Sequence, residues 1–554
     1  MRNNASVQET KTGGNSVEAS IDYQSISPSD FFYRNREIAG FSNPSRAIYA
    51  AVRELVENAL DACEAYGEPP TIYLRLREMS ISMNDTAIYE LRIEDNGTGI
   101  PDEHIPSCFG QVFHGSKYTL KQSRGTFGLG GTITILYGQI TTHKPVHVIS
   151  STGEKTYEYE QMIDILNNRP IVLKKNEPPT KKKWHGTIVE LQLEGDYPRA
   201  MSRICEYLKQ TAMINPYADI TFIDPKGRLF RFERGTDKMP PLPKAVKPHP
   251  HGIDVETIRR FISTTKTKDM FHFIMEHFQG VRKSISTHFL KAAGVDPKMN
   301  PKSLQPEEIV KLVRAAMTFN DFLKPDASCL SPIGKELFET GIRKELNLDP
   351  DVDFLKVVQR EPATYSGFPF IVEAAVAYGP SVARQNKSGI TIYRFANRIP
   401  LLYDEASDVA WKVVSNNINW STYKVSSNTS LVVAVHLCST KIPYKTVGKE
   451  YIADQPEVER EITNAIREAA RSLRVYISRE IRAAHEQQRL NVFSKYLPKI
   501  AEFSTKLSDR KKMPDINPLL KRLGIKRIEA EIEQQEEEVI VETRDNSEET
   551  GEDD

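Results

Sequence analysis

The stretch Glu54-Leu-Val-Glu-Asn-Ala-Leu-Asp-Ala62 decides how the rest of the chain is interpreted. It lies in an apolar-periodic run, Ala47 to Ala62, that contains no Pro or Gly and predicts one amphipathic helix. Glu54 and Asn58 are four residues apart, so they share a face of that helix. A carboxamide oxygen can bind a hard cation while the carboxylate beside it handles a water molecule. Taken alone, this pair is more often a solvated helix face.

Two glycine-containing motifs follow. A strand predicted over Ala87–Ile93, like the one before it over Thr71–Arg77, leads into Asp95-Asn-Gly97-Thr-Gly99, an acid at a strand end followed by a tight turn. Further on, Arg124-Gly125-Thr-Phe-Gly128-Leu-Gly130-Gly131-Thr132 precedes an apolar segment that predicts a helix. Glycines before a helix expose backbone N–H groups, as a phosphate site requires. No G-K-[ST] closes this loop, so we interpret it as a flexible lid rather than a Walker loop.

A fourth motif, Trp184-His-Gly186-Thr187, brings a glycine into a predicted strand. Each motif is weak alone, but in this order and spacing the four resemble the GHKL ATPases. That group includes gyrase B, MutL-type mismatch-repair proteins, histidine kinases and the large heat-shock chaperones. The resemblance implies a GHKL (Bergerat) α/β sandwich that uses ATP and Mg²⁺.

The resemblance also implies roles for residues at the phosphate end. Glu54 would be the general base, and Asn58 would be the Mg²⁺ ligand. Glu57 is a competing base that lies about 100° round the helix from Asn58. Gly131 and Thr132 stand where relatives carry a bulkier residue and a lysine, which puts one phosphate contact in doubt. The residues that would wrap the phosphates are Ser116, Lys117, Gly125, Thr126, Phe127, Gly128, Leu129, Gly130, Gly131 and Thr132.

At the other end of the nucleotide, the resemblance implies that Asp95 accepts a hydrogen bond from the adenine amino group. Gly97 and Gly99 would shape the turn beneath the ring, and Thr187 would support it.

A Pro-rich stretch after Met239 predicts a domain boundary. Short helices are predicted beyond it, over Val255–Thr264, Met270–Phe278, Ser284–Ala293 and Pro306–Phe319. This insert resembles the helix–two-turn–helix module of the B subunits of type IIB DNA topoisomerases. A generic helical insert is the alternative.

The next segment predicts strand–helix–strand units and resembles the transducer domain shared by gyrase and MutL. Its predicted elements are the strands Phe368–Ala377, Ile390–Phe395 and Ser430–Leu437 and the helix Asp404–Val414. The resemblance implies that Lys449 contacts the γ-phosphate, with Lys445 as the alternative. Trp420 to Lys424 is similar to a W-x-x-Y element of these transducers, and burial in the core explains it equally well.

A long helix is predicted from Val458 to Leu490, because apolar residues recur at four–three spacing without Gly or Pro. A lever that reaches a partner subunit and a plain packing helix are both compatible with this pattern. The segment from Asn491 to Leu507 carries apolar residues suited to docking.

The zero formal charge hides an asymmetry. Residues 529–554 hold 13 acidic residues and one basic residue, so residues 1–528 hold 73 basic against 61 acidic ones. A basic body permits an anionic partner such as nucleic acid, and Lys181–Lys183 and Arg282–Lys283 are candidate DNA contacts. The five cysteines form no C-x-x-C pair, so neither a zinc site nor a disulfide framework is indicated.

Together these features predict an α+β, multidomain protein. The predicted domains are a flexible N-terminus (1–27), a GHKL ATPase domain (28–245), the helical module (246–327), a transducer with a long C-terminal helix (328–490), an A-subunit docking segment (491–528) and an acidic disordered tail (529–554).

The resemblance implies the ATPase subunit of a cytoplasmic type IIB DNA topoisomerase, an isomerase. Two copies would dimerise on ATP binding, act on double-stranded DNA and form an A2B2 heterotetramer with separate DNA-cleaving A subunits. No membrane partner is expected. The alternatives are a chaperone-type remodelling ATPase and a non-enzymatic scaffold, which would be expected to lack Glu54, Asn58, Asp95 and the lid glycines.

Overall fold

The computed structural model describes residues 25–81, 86–115, 120–125, 128–179, 184–385, 389–445 and 448–508, together with Pro518. These residues form two compact units. The first contains 25–209, 217–242 and Gly448, and the second contains 210–216, 243–445 and the residues from Lys449 onward. No helix in the described ranges is long and apolar enough to cross a membrane.

The decisive stretch lies in a helix that is longer than predicted. Its N-terminus is fixed by Asn43, whose side chain accepts the N–H of Arg46, and its C-terminus by Gly67 with φ of 90°. The helices of the first unit are α1 (Pro28–Arg34), α2 (Pro44–Tyr66), α3 (Ile105–Gly110), α4 (Gly130–Thr142) and α5 (Tyr197–Ile214). The part of α5 up to Lys209 belongs to this unit, and its last residues belong to the second unit.

The described strands of this unit form one eight-stranded sheet in the order β5-β4-β3-β6-β2-β1-β7-β8. Neighbouring strands are antiparallel except for β1 and β7. The strands are β1 (Thr71–Ile81), β2 (Ala87–Glu94), β3 (Val146–Thr152), β4 (Thr156–Asp164), β5 (Arg169–Asn176), β6 (His185–Gly195), β7 (Asp219–Ile223) and β8 (Leu229–Phe232).

Helices α2 and α4 pack against β6 and against each other. Leu55, Val56 and Ala59 of α2 are buried, as are Ile133 and Leu136 of α4. This apolar layer leaves the polar face of α2 and the first turn of α4 at the same side of the sheet.

In the second unit, the four predicted helices of the insert are present and enclose a hydrophobic core of their own. They are α6 (Val255–Thr264), α7 (Met270–His277), α8 (Lys283–Ala293) and α9 (Pro306–Thr318). Buried apolar residues from Ile253 to Phe322 form this core.

The strands of the second unit form a six-stranded sheet in which β10-β11-β14-β12-β13 are consecutive and β9 also pairs with β11. The elements from α10 onward are α10 (Lys335–Glu345), β9 (Phe354–Gln359), β10 (Ala363–Tyr365), β11 (Phe368–Tyr378), α11 (Pro380–Gln385), β12 (Ile390–Ala396), β13 (Ile399–Pro400), α12 (Val409–Lys412), β14 (Leu431–Ser439) and α13 (Pro456–Leu507).

The predicted helix Asp404–Val414 is wrong as a continuous element. Asp404 adopts a left-handed conformation and starts only a short 3-10 turn. Asp408 then accepts the N–H of Ala410 and begins the four-residue α12, which passes into a π-turn. A left-handed residue at Asp404 and an acidic N-cap at Asp408 favour two short turns over one helix.

The long helix α13 has 52 residues and continues past the predicted end at Leu490. Its first half is buried against the sheet through Val458, Ile462, Ile466 and Leu473, so packing explains that part. Beyond Ile477 most of its side chains are exposed. Packing therefore explains the first half of α13, and the lever remains a prediction for the exposed half.

Candidate nucleotide site

Helix α4 begins directly over the polar face of α2. A Cβ atom built on Gly130 would lie 1.6 Å from Oε2 of Glu54, and one built on Gly131 would lie 3.1 Å from Nδ2 of Asn58. Only glycine fits at position 130 while Glu54 keeps this position. The fold thus brings together two motifs that are far apart in the sequence.

The first turn of α4 has the properties of an anion site. Its N-cap is Leu129, which provides no side-chain acceptor. The N–H groups of Gly130, Gly131 and Thr132 have no acceptor within the helix, and the positive end of the helix dipole lies beside the Glu54 carboxylate. The hydroxyl of Thr132 donates to the carbonyl of Leu129 at 3.0 Å and is therefore turned back into the loop.

Glu54 is held by its neighbour in the sequence. Arg53 donates from Nη2 to Oε1 of Glu54 at 2.6 Å and from Nη1 to the carbonyl oxygen of Gly448 at 3.0 Å. Burial alone would lower the pKa of Arg53, but the charges of Glu54 and Glu57 outweigh it and raise that pKa above its ordinary value. The sequence did not single out Arg53, because adjacent residues on a helix do not normally face each other.

The competing base, Glu57, occupies a different environment. It is 2% exposed, and its Oε1 lies 3.6 Å from Nε of Arg53. Glu54 contacts the start of α4, whereas Glu57 faces the interior of the unit. This geometry favours Glu54 as the residue that meets a water molecule at the site.

Asp95 is buried at the end of the β2 strand, where the motif predicts the base-recognition residue. Its Oδ1 accepts the backbone N–H of Gly97 at 2.8 Å and that of Thr187 at 3.3 Å. Among the described residues, Oδ2 receives no hydrogen bond. Burial raises the pKa of Asp95 to about 6, although the two N–H groups partly offset it. The carboxylate is therefore charged at neutral pH and offers an acceptor.

The glycines around Asp95 are required by close backbone approach. A Cβ on Gly99, whose φ is 64°, would lie 1.9 Å from the carbonyl oxygen of Ser151. A Cβ on Gly186, whose φ is 128°, would lie 2.0 Å from the carbonyl oxygen of Asp95. A Cβ on Gly97 would meet Cβ of Ala62 at 2.6 Å, so this turn sits against the end of α2.

Ser150 lies outside the four sequence motifs but contacts the fourth motif and the residue that follows Gly99. Its hydroxyl lies 3.0 Å from Oγ1 of Thr187 and 3.1 Å from the carbonyl oxygen of Gly186, and it accepts the N–H of Ile100 at 2.8 Å. It therefore joins the turn after Asp95 to the strand that carries Thr187. A serine within an alternating strand carries no sequence signal for such a role.

The lid segment is tied to α2 by a buried ion pair. Arg124 donates from Nη1 to Oδ1 of Asp61 at 2.9 Å and from Nη2 to Oε1 of Glu64 at 2.6 Å. Tyr217 donates to the same Glu64 oxygen at 2.6 Å. The acid at the end of the decisive stretch, Asp61, thus anchors the loop rather than facing the site.

Some predicted site residues cannot be compared with this geometry. Ser116, Lys117, Thr126 and Phe127 lie outside the described residues, as do Lys181–Lys183. Gly125 and Gly128 are described, and Gly128 has φ of 61°. In the second unit, Lys449 is 7% exposed and has φ of 53°, whereas Lys445 is exposed.

Two protein families match the chain. Residues 43–160 match the histidine kinase-, DNA gyrase B- and HSP90-like ATPases, which confirms the GHKL fold expected from the motifs. Residues 325–489 match the transducer of the topoisomerase VI B subunit. A solved structure of the gyrase B ATPase domain from Thermus thermophilus is 13% identical, covers 83% of this chain and 98% of its own, and has a TM-score of 0.37.

Relatives extend the similarity to most of the chain. The B subunit of type 2 DNA topoisomerase 6 from Pyrobaculum aerophilum is 45% identical over 86% of this chain and 89% of its own length. The corresponding protein from Metallosphaera sedula is 41% identical over 90% of this chain and 92% of its own. The chain therefore belongs to the family of type 2 DNA topoisomerase 6 B subunits and is an ATPase subunit of the type II topoisomerase class.

Proposed function

We propose that this chain is the ATP-operated gate of a type IIB DNA topoisomerase, in which ATP binding joins two copies and hydrolysis resets them. The observation that carries the proposal is the position of Gly130 and Gly131 over Glu54 and Asn58. It brings an uncapped helix N-terminus, a carboxylate and an amide to one place, as phosphoryl transfer to water requires.

ATP would lie between the two described ends of the site. The adenine amino group would donate to Oδ2 of Asp95, because the two backbone N–H groups both reach Oδ1. The phosphates would face the first turn of α4, whose N–H groups suit an anion. Ser116, Lys117 and the remaining lid residues complete this assignment as predictions.

Hydrolysis would depend on Glu54 and Asn58. Glu54 would accept a proton from the attacking water, and Asn58 would hold Mg²⁺ through its amide oxygen. When bound, Mg²⁺ neutralises charge on the phosphates, and it typically takes few protein ligands.

The gate would transmit the nucleotide state through the second unit. Lys449 is our candidate for the γ-phosphate contact, and burial favours it over the exposed Lys445 because buried lysines are normally paired. The far half of α13 would dock a separate A subunit that cleaves DNA, giving an A2B2 complex. Its exposed apolar side chains recur at helical spacing at Phe493, Tyr496, Ile500, Phe503 and Leu507.

Double-stranded DNA is the proposed substrate, and the cytoplasm is the proposed location. Arg282 and Lys283 are exposed at the start of α8 and can contact phosphates. The function is relaxation or decatenation of DNA by strand passage.

The test is ATP hydrolysis by the purified chain, with and without duplex DNA, beside Glu54→Gln. We expect the variant to lose at least 100-fold in rate, about 3 kcal/mol of transition-state stabilisation, while still dimerising with a non-hydrolysable ATP analogue. DNA should stimulate the wild-type rate. Full activity in Glu54→Gln would contradict the assignment, and stimulation by unfolded protein instead of DNA would favour a chaperone.

A further inference from the structure

Arg53 is buried, and it connects three acceptors from two parts of the chain. Two of its nitrogens hydrogen-bond to Glu54 and to the backbone of Gly448, and Nε lies 3.6 Å from Glu57. Gly448 is 395 residues away in the sequence and immediately precedes Lys449. One side chain thus contacts both the candidate base and the loop that carries the candidate phosphate-sensing lysine.

The guanidinium group gives these contacts a fixed geometry. Its nitrogens lie in one plane at set angles, so a displacement of one acceptor moves the others or breaks a bond. Among the described residues, the buried Nε has no hydrogen-bond partner, so the bonds to Glu54 and Gly448 are the contacts that place the group. The 7% exposure of Arg53 leaves little room for water to replace either bond.

We propose that Arg53 is a positioning residue for ATP hydrolysis, which makes the orientation of Glu54 depend on the loop at Gly448. This inference rests on the proposed role of Glu54 as the base. Arg53 binds Oε1 of Glu54, which leaves Oε2 directed at the first turn of α4, where the Gly130 contact lies. Oε2 is then the oxygen that accepts the proton of the attacking water.

A movement of the loop at Gly448 would then change the rate of ATP hydrolysis more than the affinity for ATP. When the Gly448 carbonyl is in place, Arg53 is held from both sides and Glu54 is aligned. When the carbonyl moves, the guanidinium loses its second strong acceptor, and Glu54 loses one of the contacts that orient it. A misplacement of about 1 Å at a reacting group can cost on the order of 100-fold in rate.

The deciding variant is Arg53→Lys, which keeps the charge but has no planar fork. We expect kcat for ATP to fall by about 10- to 100-fold, while the Kd for a non-hydrolysable ATP analogue changes by less than about threefold. Arg53→Met should show the same loss of kcat together with a larger drop in Tm, because it removes the charge that Arg53 places beside Glu54 and the buried Glu57.

Two variants separate positioning from general damage. Arg394 in the second unit is also a buried arginine: it is 1% exposed, and its Nη1 lies 3.5 Å from Oδ2 of Asp408. Arg394→Met should therefore lower Tm without a selective loss of kcat. Glu57→Gln removes the weakest of the three contacts of Arg53 and should leave kcat within about threefold of wild type.

The outcomes are distinct. Wild-type kcat in Arg53→Lys would overturn the proposal, and so would parallel losses of kcat and affinity, which indicate a structural role only. Wild-type hydrolysis in Glu54→Gln would instead refute the proposed function, whatever Arg53→Lys does. An inactive Glu54→Gln with a selectively slow Arg53→Lys supports both.

Discussion

The two ends of the nucleotide site are built in different ways. At the adenine end, defined by Asp95, Thr187 and the turn at Gly97, the functional carboxylate is fixed by backbone N–H groups. At the phosphate end, defined by Glu54, Asn58 and the first turn of α4, it is fixed by the side chain of Arg53. In the proposed function, recognition would rest on rigid backbone, whereas hydrolysis would rest on a side chain with a second, distant partner.

The strongest test of this contrast is Asp95→Asn, which should weaken ATP binding and strengthen the fold. Losing a charged acceptor for the adenine amino group should raise the Kd by about 10- to 100-fold, or roughly 1–3 kcal/mol. Because the pKa of Asp95 is raised from 3.8 to about 6, its ionised form costs the folded state about 3 kcal/mol at neutral pH. The asparagine avoids this cost and keeps an oxygen for the N–H groups of Gly97 and Thr187.

The stability difference between Asp95→Asn and the wild type should depend on pH. Between the unfolded and folded pKa values the folded state binds more protons, so the stability of the wild type falls as the pH rises from about 4 to about 6. The stability advantage of Asp95→Asn should therefore be absent near pH 4 and complete above pH 6. Denaturant titrations at both pH values measure it, and Glu94→Gln, a more exposed neighbour, is the control. A pH-independent difference would contradict this account.

Gly130→Ala should have an effect on activity between those of Asp95→Asn and Ser150→Ala, and this effect should be limited to the phosphate end. The added methyl would overlap Oε2 of Glu54, and that flexible side chain can move aside, so the fold should survive. Alanine also favours a helix by about 1 kcal/mol over glycine. We expect kcat to fall at least 10-fold with Tm unchanged or raised.

Gly131→Ala provides the comparison for Gly130→Ala, because among the described residues its methyl would approach only Nδ2 of Asn58, at 3.1 Å. Its loss of kcat should be the smaller of the two. Equal losses would mean that the glycines serve the backbone of the loop rather than clearance for Glu54. Steady-state ATPase assays and thermal unfolding of both variants decide this.

The smallest effect on ATP affinity or activity is expected for Ser150→Ala at the adenine end. Removing the hydroxyl leaves the N–H of Ile100 without this acceptor and should cost about 1–3 kcal/mol of unfolding free energy. ATP affinity should weaken only a few-fold, because Asp95 keeps both backbone donors. Ser150→Thr, which restores a hydroxyl, is the matched variant. A loss of affinity as large as that of Asp95→Asn would place Ser150 in direct contact with the nucleotide.

The same contrast between the two ends explains which parts of the site the sequence could predict. Local motifs predicted Asp95, Gly97 and Gly99 for the adenine end, because these residues lie within one turn and their placement depends on backbone geometry. Arg53 and Arg124 were missed as functional partners. The roles of both depend on contacts that only the fold creates, with Gly448 in one case and with Asp61 and Glu64 in the other.

For the fold, periodic helices and alternating strands were predicted closely, and the misses have local causes. The insert helices agree to within one residue at each end, since Asp254 and Asp269 cap α6 and α7. The prediction for the segment after Asp404 was wrong because Asp404 adopts a left-handed conformation and Asp408 caps a new short helix. The end of α13 was placed too early, because Pro498 does not stop the helix. The predicted domain boundaries and the roles of the site residues remain predictions.

The length of helix α13 can amplify a small rotation of its buried half. A 52-residue helix is about 78 Å long, and the part beyond Ile477 extends about 45 Å from the portion that is buried against the sheet. A rotation of that buried base by about 5° would displace the far end by roughly 4 Å, which is close to the distance between consecutive Cα atoms. A change in the transducer that is too small to disturb its own packing would thus become, at Leu507, a movement large enough for the proposed A subunit to follow.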